Sequence, residues 1–135
     1  MLTDNRPAKA PIRARVYLTV ADDGLSKPWF GCVYCNPPYG THIGLWMAKC
    51  RWSVEHGLAR FVLALVPARV DTKWWHENVA GHADIFMLKG RLTFGGALAA
   101  APFPSALLCF GAPTEVLDGI ARAFPTACVR SAARG

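Results

Sequence analysis

The sequence has no apolar run long enough to cross a bilayer. Its longest strictly apolar run, Phe61 to Val66, is far shorter than the roughly 20 residues that a transmembrane helix needs. The first residues, Met1 to Arg6, also lack the apolar core of a secretory signal peptide. We therefore expect a cytoplasmic protein with no membrane association.

Charged residues are scarce at 18%, and the basic residues outnumber the acidic ones by 15 to 9. Apolar residues reach 53%, which is typical of a globular rather than a disordered chain. A chain of 135 residues is long enough for one domain with one core. The formal net charge of +6 fits a polyanionic partner, although many soluble proteins are equally basic.

The cysteines show no disulfide pattern. There are five, Cys32, Cys35, Cys50, Cys109 and Cys128, and four lie in apolar stretches, as is typical of buried reduced thiols. Cys32 and Cys35 have the Cys-x-x-Cys spacing, but a zinc site needs a second ligand pair, and no matching pair is evident. Within a strand these two side chains would point to opposite faces. We therefore expect no metal site.

The stretch from Cys32 to Gly40 organises the rest of the chain. It begins with a strand-forming run and ends in an amide, two prolines, an aromatic ring and a glycine. A strand cannot continue beyond Asn36, because Pro37 and Pro38 have no N–H to give to a ladder. Asn36 should therefore lie at the carboxyl end of a strand, the edge at which open α/β sheets bind ligands.

This combination suits the recognition of a planar exocyclic amine. The Asn36 side-chain oxygen and the Pro37 carbonyl can each accept a hydrogen bond from one NH₂ group. Tyr39 offers a flat face on which a heteroaromatic ring can stack. On these four residues alone, a Pro-Pro turn that merely ends a strand remains an open alternative.

The four residues look like the Asp/Asn/Ser-Pro-Pro-Tyr/Phe/Trp motif of S-adenosylmethionine-dependent amino-methyltransferases. Further motifs accompany them in order: Asp22-Asp23-Gly24-Leu25, Trp29, and the segments 65–69, 71–76, 90–94 and 102–105. The ordered set resembles the phage-type DNA N-6-adenine methyltransferase (Dam) family, from about Ala14 to about Phe110.

The resemblance implies an α/β fold: a partial Class I (Rossmann-like) S-adenosylmethionine-dependent methyltransferase sheet with flanking helices. The methyltransferase domain would span residues 14–125, between a loose arm (1–13) and a frayed tail (126–135). The implied function is site-specific DNA adenine-N6 methylation of a base flipped out of double-stranded DNA, with S-adenosyl-L-methionine as cofactor. Such a gene would belong to a phage or prophage, as part of restriction-modification in a bacterial host.

The resemblance also implies roles for individual residues. Asn36, Pro37, Pro38 and Tyr39 would form the catalytic motif, and Asn36 would also contact the cofactor. Asp23 would lie close to the cofactor's adenine, with an ordinary Asp-Gly turn as the alternative.

Basic residues downstream are candidates for DNA binding. The segment 60–66 has no polar alternation and predicts a strand buried on both faces, as in parallel sheets. A right-handed βαβ connection would bring its carboxyl end to the same edge as Asn36. Arg69, Lys73 and Arg91 would then contact phosphates, unless they belong only to a solvated loop.

The remaining elements are predicted from periodicity and capping. A helix should follow Gly40, with Thr41 as its N-cap and Gly57 at its end. Asp71 should cap a short helix in which one of Trp74 and Trp75 packs on the sheet. Further expectations are strands at 13–20, 83–88 and 106–110, an irregular loop at 96–104, and a helix at 114–124 with Thr114 as its N-cap.

Against the family pattern the chain is short at its beginning. Only 32 residues precede Val33, and they contain no Gly-rich turn of the kind that approaches a cofactor. This predicts an N-terminally truncated member, which leaves an inactive prophage remnant as one alternative. Methylation of cytosine N4 or of a glutamine amide is another, although the Trp-Trp-His and Gly-Arg-Leu-x-Phe segments argue against it.

Overall fold

A five-stranded mixed sheet with flanking helices forms the centre of this computed structural model, which describes residues 23–90 and 103–132. The elements in chain order are β1 (Gly31–Cys35), α1 (Ile43–Glu55), β2 (Ala59–Pro67), α2 (Lys73–Asn78), β3 (Asp84–Met87), β4 (Ser105–Phe110), α3 (Thr114–Ala123) and β5 (Cys128–Arg130). Within that part of the chain, no helix combines the length and apolar character needed to span a bilayer. The arm at 1–13, the strand at 13–20, Arg91 and most of the loop at 96–104 lie outside the described residues.

The strand order is β1-β2-β4-β3-β5. β1 and β2 are parallel, as predicted, whereas β4 is antiparallel to both of its neighbours, β2 and β3. The carboxyl ends of β1, β2 and β3 therefore meet the beginning of β4 at one edge, which we call the carboxyl edge. This edge carries the motif that the sequence singled out.

The two faces of the sheet are covered unequally. Alternate residues of β2, Val62, Ala64 and Val66, are fully buried in a core shared with α1 and α2. The residues between them, Phe61, Leu63 and Leu65, are only half-buried and pack in a smaller cluster with α3. Helix α3 has no fully buried residue of its own. Both faces of β2 are covered, as predicted, but only one of them is fully buried.

Helix α1 begins one residue later than predicted. Thr41 is not its N-cap; His42 occupies that position and makes no side-chain capping hydrogen bond. The buried face of the helix is as predicted, with Ile43, Met47 and Cys50 at the i, i+4, i+7 spacing. Packing of this face on β1 and β2, rather than a cap, therefore fixes where the helix starts.

The end of α1 follows the predicted glycine rule. Gly57 has a φ of +72°, and its N–H donates to the Val54 carbonyl while the Leu58 N–H donates to the Ser53 carbonyl, each at 3.0 Å. This pair of bonds is the Schellman arrangement, which satisfies the last carbonyls of a helix.

The other two helices also begin without the predicted caps. Asp71 does not cap α2; Thr72 precedes the helix, and its hydroxyl donates instead to the Arg69 carbonyl at 2.7 Å. Thr114 is the first helical residue of α3 rather than its N-cap, a position that Pro113 occupies. In both helices the N-cap lies one residue away from the predicted position.

The chain after residue 126 is not simply a frayed tail. β5 pairs antiparallel with β3, with Val129 opposite Phe86. Asp84 of β3 is only 4% exposed, and its carboxylate accepts a hydrogen bond from the Ala132 N–H at 2.9 Å. A buried carboxylate needs such partners, and the described end of the chain supplies one of them to Asp84.

Gly111 gives a test of the packing between β4 and α1. It has a φ of +68°, and an added Cβ would lie 2.5 Å from Cγ1 of Val54, a β-branched side chain that is stiff in a helix. We expect Gly111→Ala to lower the free energy of unfolding by about 2–4 kcal/mol, from left-handed strain plus overpacking. Urea denaturation measures this loss.

The matched control is Gly81→Ala. Gly81 also has a positive φ, +82°, but an added Cβ would meet nothing within 4 Å. Its loss should come from backbone strain alone, about 1–2 kcal/mol. Equal losses in the two variants would contradict the packing of Val54 on Gly111.

Candidate functional site

The Asn-Pro-Pro-Tyr motif lies at the carboxyl edge. β1 ends at Cys35, so Asn36 is the first residue beyond the strand, as predicted from the two prolines. Asn36 is half-buried, Pro37 is buried and Pro38 is exposed. The motif thus forms the connection from β1 to α1 with the amide side chain at the rim of the sheet.

Tyr39 ties this connection to the neighbouring strand. Its hydroxyl donates a hydrogen bond to the Leu65 carbonyl of β2 at 3.2 Å. Its ring meets the Phe103 ring edge-on, with centroids 5.4 Å apart and planes 67° apart. The orientation of the Tyr39 ring is therefore fixed from two sides, which is the condition for a preformed stacking surface.

Phe103 brings a second loop into the site. The Arg69 guanidinium carbon lies 5.4 Å from the centre of the Phe103 ring, within the range of a cation–π contact. The Ala68 N–H donates to the Pro104 carbonyl at 2.9 Å, which joins the loop after β2 to the segment before β4. Tyr39, Phe103 and Arg69 thus form one cluster, and this places Arg69 beside the motif.

Sequence reasoning had not selected Phe103 as a site residue. Its signal was present, because an aromatic residue between Pro102 and Pro104 opens a buried strand. Which strand neighbours this segment depends on the antiparallel position of β4 beside β2. That pairing joins residues about 40 positions apart and has no local signature.

Lys73 is more remote from the cluster. It is the first residue of α2, its side chain is 87% exposed, and it forms an ion pair with Glu77 at 3.5 Å. An ion pair that is this exposed adds little stability. The Lys73 ammonium group therefore remains accessible to an anion. The third cation selected from the sequence, Arg91, lies outside the described residues.

Asp23 lies in a tight turn. Its φ is +49°, and its carbonyl accepts hydrogen bonds from the Ser26 N–H and hydroxyl at 3.0 and 2.9 Å. Asx residues tolerate this left-handed conformation better than most others. The side chain is exposed, so its carboxylate is open to a ligand, while its backbone is held.

The adjacent tryptophans have different environments. Trp75 is 4% exposed and belongs to the main core. Trp74 is half-buried, and its Cβ approaches Gly44 near the start of α1, where an added Cβ would lie 3.1 Å away. Trp75 is therefore the residue that packs inside, and Trp74 braces α2 against α1.

Cys32 and Cys35 point to opposite faces, as predicted: the first is exposed and the second is fully buried. Burial raises the pKa of the Cys50 thiol and raises that of Cys109 to about 12. Over residues 23–90 and 103–132, no three His, Cys, Asp or Glu side chains come together as a metal site would require.

A comparison with protein families relates the chain to a known family. A model of the family described as DNA N-6-adenine-methyltransferase (Dam) matches residues 4–105, well over half of the 135-residue chain. The matched range includes the Asn-Pro-Pro-Tyr motif and the cluster around Phe103. No curated protein matches the chain.

Thiol reactivity tests the placement of the cysteines. At pH 8 a disulfide reagent should modify Cys32 and Cys128 rapidly, because both are exposed. Cys35, Cys50 and Cys109 are fully buried and should react only as the protein unfolds, because the reagent cannot reach their sulfur atoms in the folded protein. Mass spectrometry of modified peptides identifies the sites; rapid labelling of Cys35 would contradict the fold around the motif.

Proposed function

The chain belongs to the DNA N-6-adenine-methyltransferase (Dam) family, and from that premise we propose that it transfers a methyl group from S-adenosylmethionine to the N6 amine of adenine in DNA. The observation that carries the proposal is the motif at the carboxyl edge: Asn36 follows β1 directly, and Tyr39 is fixed against β2 and Phe103.

The first role of the motif is to hold the amine. The Asn36 side-chain oxygen and the Pro37 carbonyl would accept one hydrogen bond each from the two N–H groups of adenine N6. The N6 lone pair is otherwise delocalised into the ring. Two fixed acceptors favour tetrahedral geometry at the nitrogen, in which the lone pair is no longer shared with the ring. The rate would then come from position and fixed dipoles rather than from a covalent intermediate.

The second role is to hold the ring of the base. The amine of a paired adenine is buried in the duplex, so the base would have to be flipped out before it reaches Asn36. The Tyr39 ring provides a stacking surface, and its contact with Phe103 prevents it from turning away. Arg69, which contacts Phe103, would neutralise a phosphate of the flipped nucleotide.

The described residues include hydrogen-bond acceptors that fit the cofactor. S-adenosylmethionine supplies an electrophilic methyl group, and its adenosine part presents amine and hydroxyl donors. The exposed Asp23 carboxylate is an acceptor suited to such donors, and its backbone is fixed by the Ser26 bonds. Asn36 would contact the cofactor as well as the reacting amine.

The sheet supports the same proposal. An antiparallel strand, β4, lies between the parallel strands β2 and β3, which is the arrangement expected for the last part of a Class I methyltransferase sheet. We propose accordingly that residues 14–125 form the methyltransferase domain. The family match favours adenine over cytosine or a glutamine amide as the acceptor.

Substitution within the motif tests the chemistry. We expect Asn36→Ala and Tyr39→Ala to lower turnover by at least about a hundredfold, because each removes a group fixed against the reacting base. The measurement is transfer of labelled methyl from S-adenosylmethionine to duplex DNA, with the product nucleoside identified by mass spectrometry. Asp118→Ala changes an exposed residue of α3. It is the control and should keep wild-type turnover.

Three outcomes would count against the proposal. Turnover of the wild-type protein without N6-methyladenine in the product would assign another acceptor. A folded wild-type protein that binds no S-adenosylmethionine in calorimetry would be an inactive remnant. Wild-type turnover by Asn36→Ala would show that the Asn36 side chain has no part in methyl transfer.

Salt dependence tests the DNA contacts separately. If Arg69 and Lys73 each neutralise one phosphate, Arg69→Ala and Lys73→Ala should each reduce the slope of log affinity against log salt by about 0.9. Fluorescence anisotropy with a labelled duplex at several salt concentrations gives this slope. Arg122→Ala removes an exposed cation from the last turn of α3 and should leave the slope unchanged; an equal reduction there would indicate only a general charge effect.

A further inference from the structure

Lys49 of α1 holds the segment that carries Asp23. Its Nζ donates a hydrogen bond to the Leu25 carbonyl at 2.8 Å and a second one to the Lys27 carbonyl. The same Nζ lies 5.3 Å from the centre of the Trp29 ring, within cation–π range. One ammonium group therefore contacts three residues of the segment that we call the 23–29 segment.

The other contacts within this segment are mainly local. The Trp29 indole N–H donates to the Gly24 carbonyl at 3.0 Å, and Ser26 bonds the Asp23 carbonyl. These bonds shape the segment but do not attach it to the rest of the protein. At its end the segment is attached through Trp29, which is buried in the main core and stacks on Trp46 with ring centroids 6.2 Å apart. Lys49 attaches the part that contains Leu25 and Lys27.

Lys49 is well suited to this attachment. Backbone carbonyls accept hydrogen bonds from an ammonium more strongly than from a neutral donor. Desolvation lowers the pKa of Lys49, and the charge of Asp23 opposes that shift. Lys49 therefore interacts with Asp23 electrostatically, in addition to its hydrogen bonds with the backbone of the 23–29 segment.

We propose that Lys49 is a positioning residue for the cofactor: it fixes the 23–29 segment on α1 so that the Asp23 carboxylate is held at a constant place relative to Asn36. This proposal rests on the function proposed above. Its structural basis is that α1 begins directly after the Asn-Pro-Pro-Tyr motif and carries Lys49 in its second turn. One helix thus holds both the segment of Asp23 and the motif of Asn36.

The expected effect of losing Lys49 is specific. Lys49→Met keeps the length of the aliphatic stem and removes only the ammonium, so α1 and its buried face should be preserved. The 23–29 segment would lose two charge-assisted hydrogen bonds to α1, and Asp23, although still in its local turn, would be held less firmly relative to Asn36. Because Asn36 and Tyr39 are untouched, the methyl-transfer step with cofactor bound should be nearly unaffected.

Two measurements on the full-length protein test this. Hydrogen exchange followed by mass spectrometry should show faster exchange of backbone amides in residues 23–30 of Lys49→Met, with unchanged exchange in α1. Steady-state kinetics should show a KM for S-adenosylmethionine raised about tenfold, with kcat within about twofold of wild type. Lys49→Arg, which keeps a charged donor with several N–H groups, should restore most of both properties.

Arg122→Ala is the matched control for loss of one positive charge and should alter neither measurement. Unchanged exchange in residues 23–30 of Lys49→Met would overturn the proposal. Faster exchange with an unchanged KM would also overturn it, since Asp23 would then have no bearing on the cofactor. Failure of the wild-type protein to bind S-adenosylmethionine would instead overturn the proposed function, and the exchange comparison would still decide whether Lys49 fixes the segment.

Discussion

The structure around the site depends on one covalent constraint, the absence of an N–H from Pro37 and Pro38. Without those donors β1 cannot pair further with β2, so the chain leaves the sheet at Asn36. The connection to α1 is then short, and Tyr39 falls within reach of the Leu65 carbonyl of β2. The amide, the aromatic ring and the start of the helix all take their places from the point at which the strand ends.

Much of this was predictable because it is local. The end of β1 at Cys35, the buried face of α1 and the glycine at its end follow from two prolines, a period of 3.6 and a single Gly57. The parallel pairing of β1 with β2 also followed, because a helix between two apolar strands permits few other arrangements. The position of the Asn-Pro-Pro-Tyr motif, between the end of β1 and the start of α1, was therefore predicted correctly.

The rest could not be predicted because it is decided by distant contacts. Phe103 reaches Tyr39 only because β4 pairs with β2 from far along the chain. The strand β5 forms where a tail was expected, because it pairs with β3, which lies far away along the chain. The missed helix caps are local: α2 begins after Thr72 rather than after Asp71, and the Thr72 hydroxyl donates to the Arg69 carbonyl, a choice that residue propensity does not reveal.

Helix α1 unites these local and distant parts. Its buried face packs Met47 and Cys50 into the main core, its beginning receives the Asn-Pro-Pro-Tyr motif, and its outer side binds the 23–29 segment through Lys49 and Trp46. A rigid helix transmits position along its length more faithfully than a loop does. The amine-binding motif and the proposed cofactor carboxylate therefore share a frame whose rigidity comes from the core, so the geometry between them is set by packing as well as by the site residues themselves.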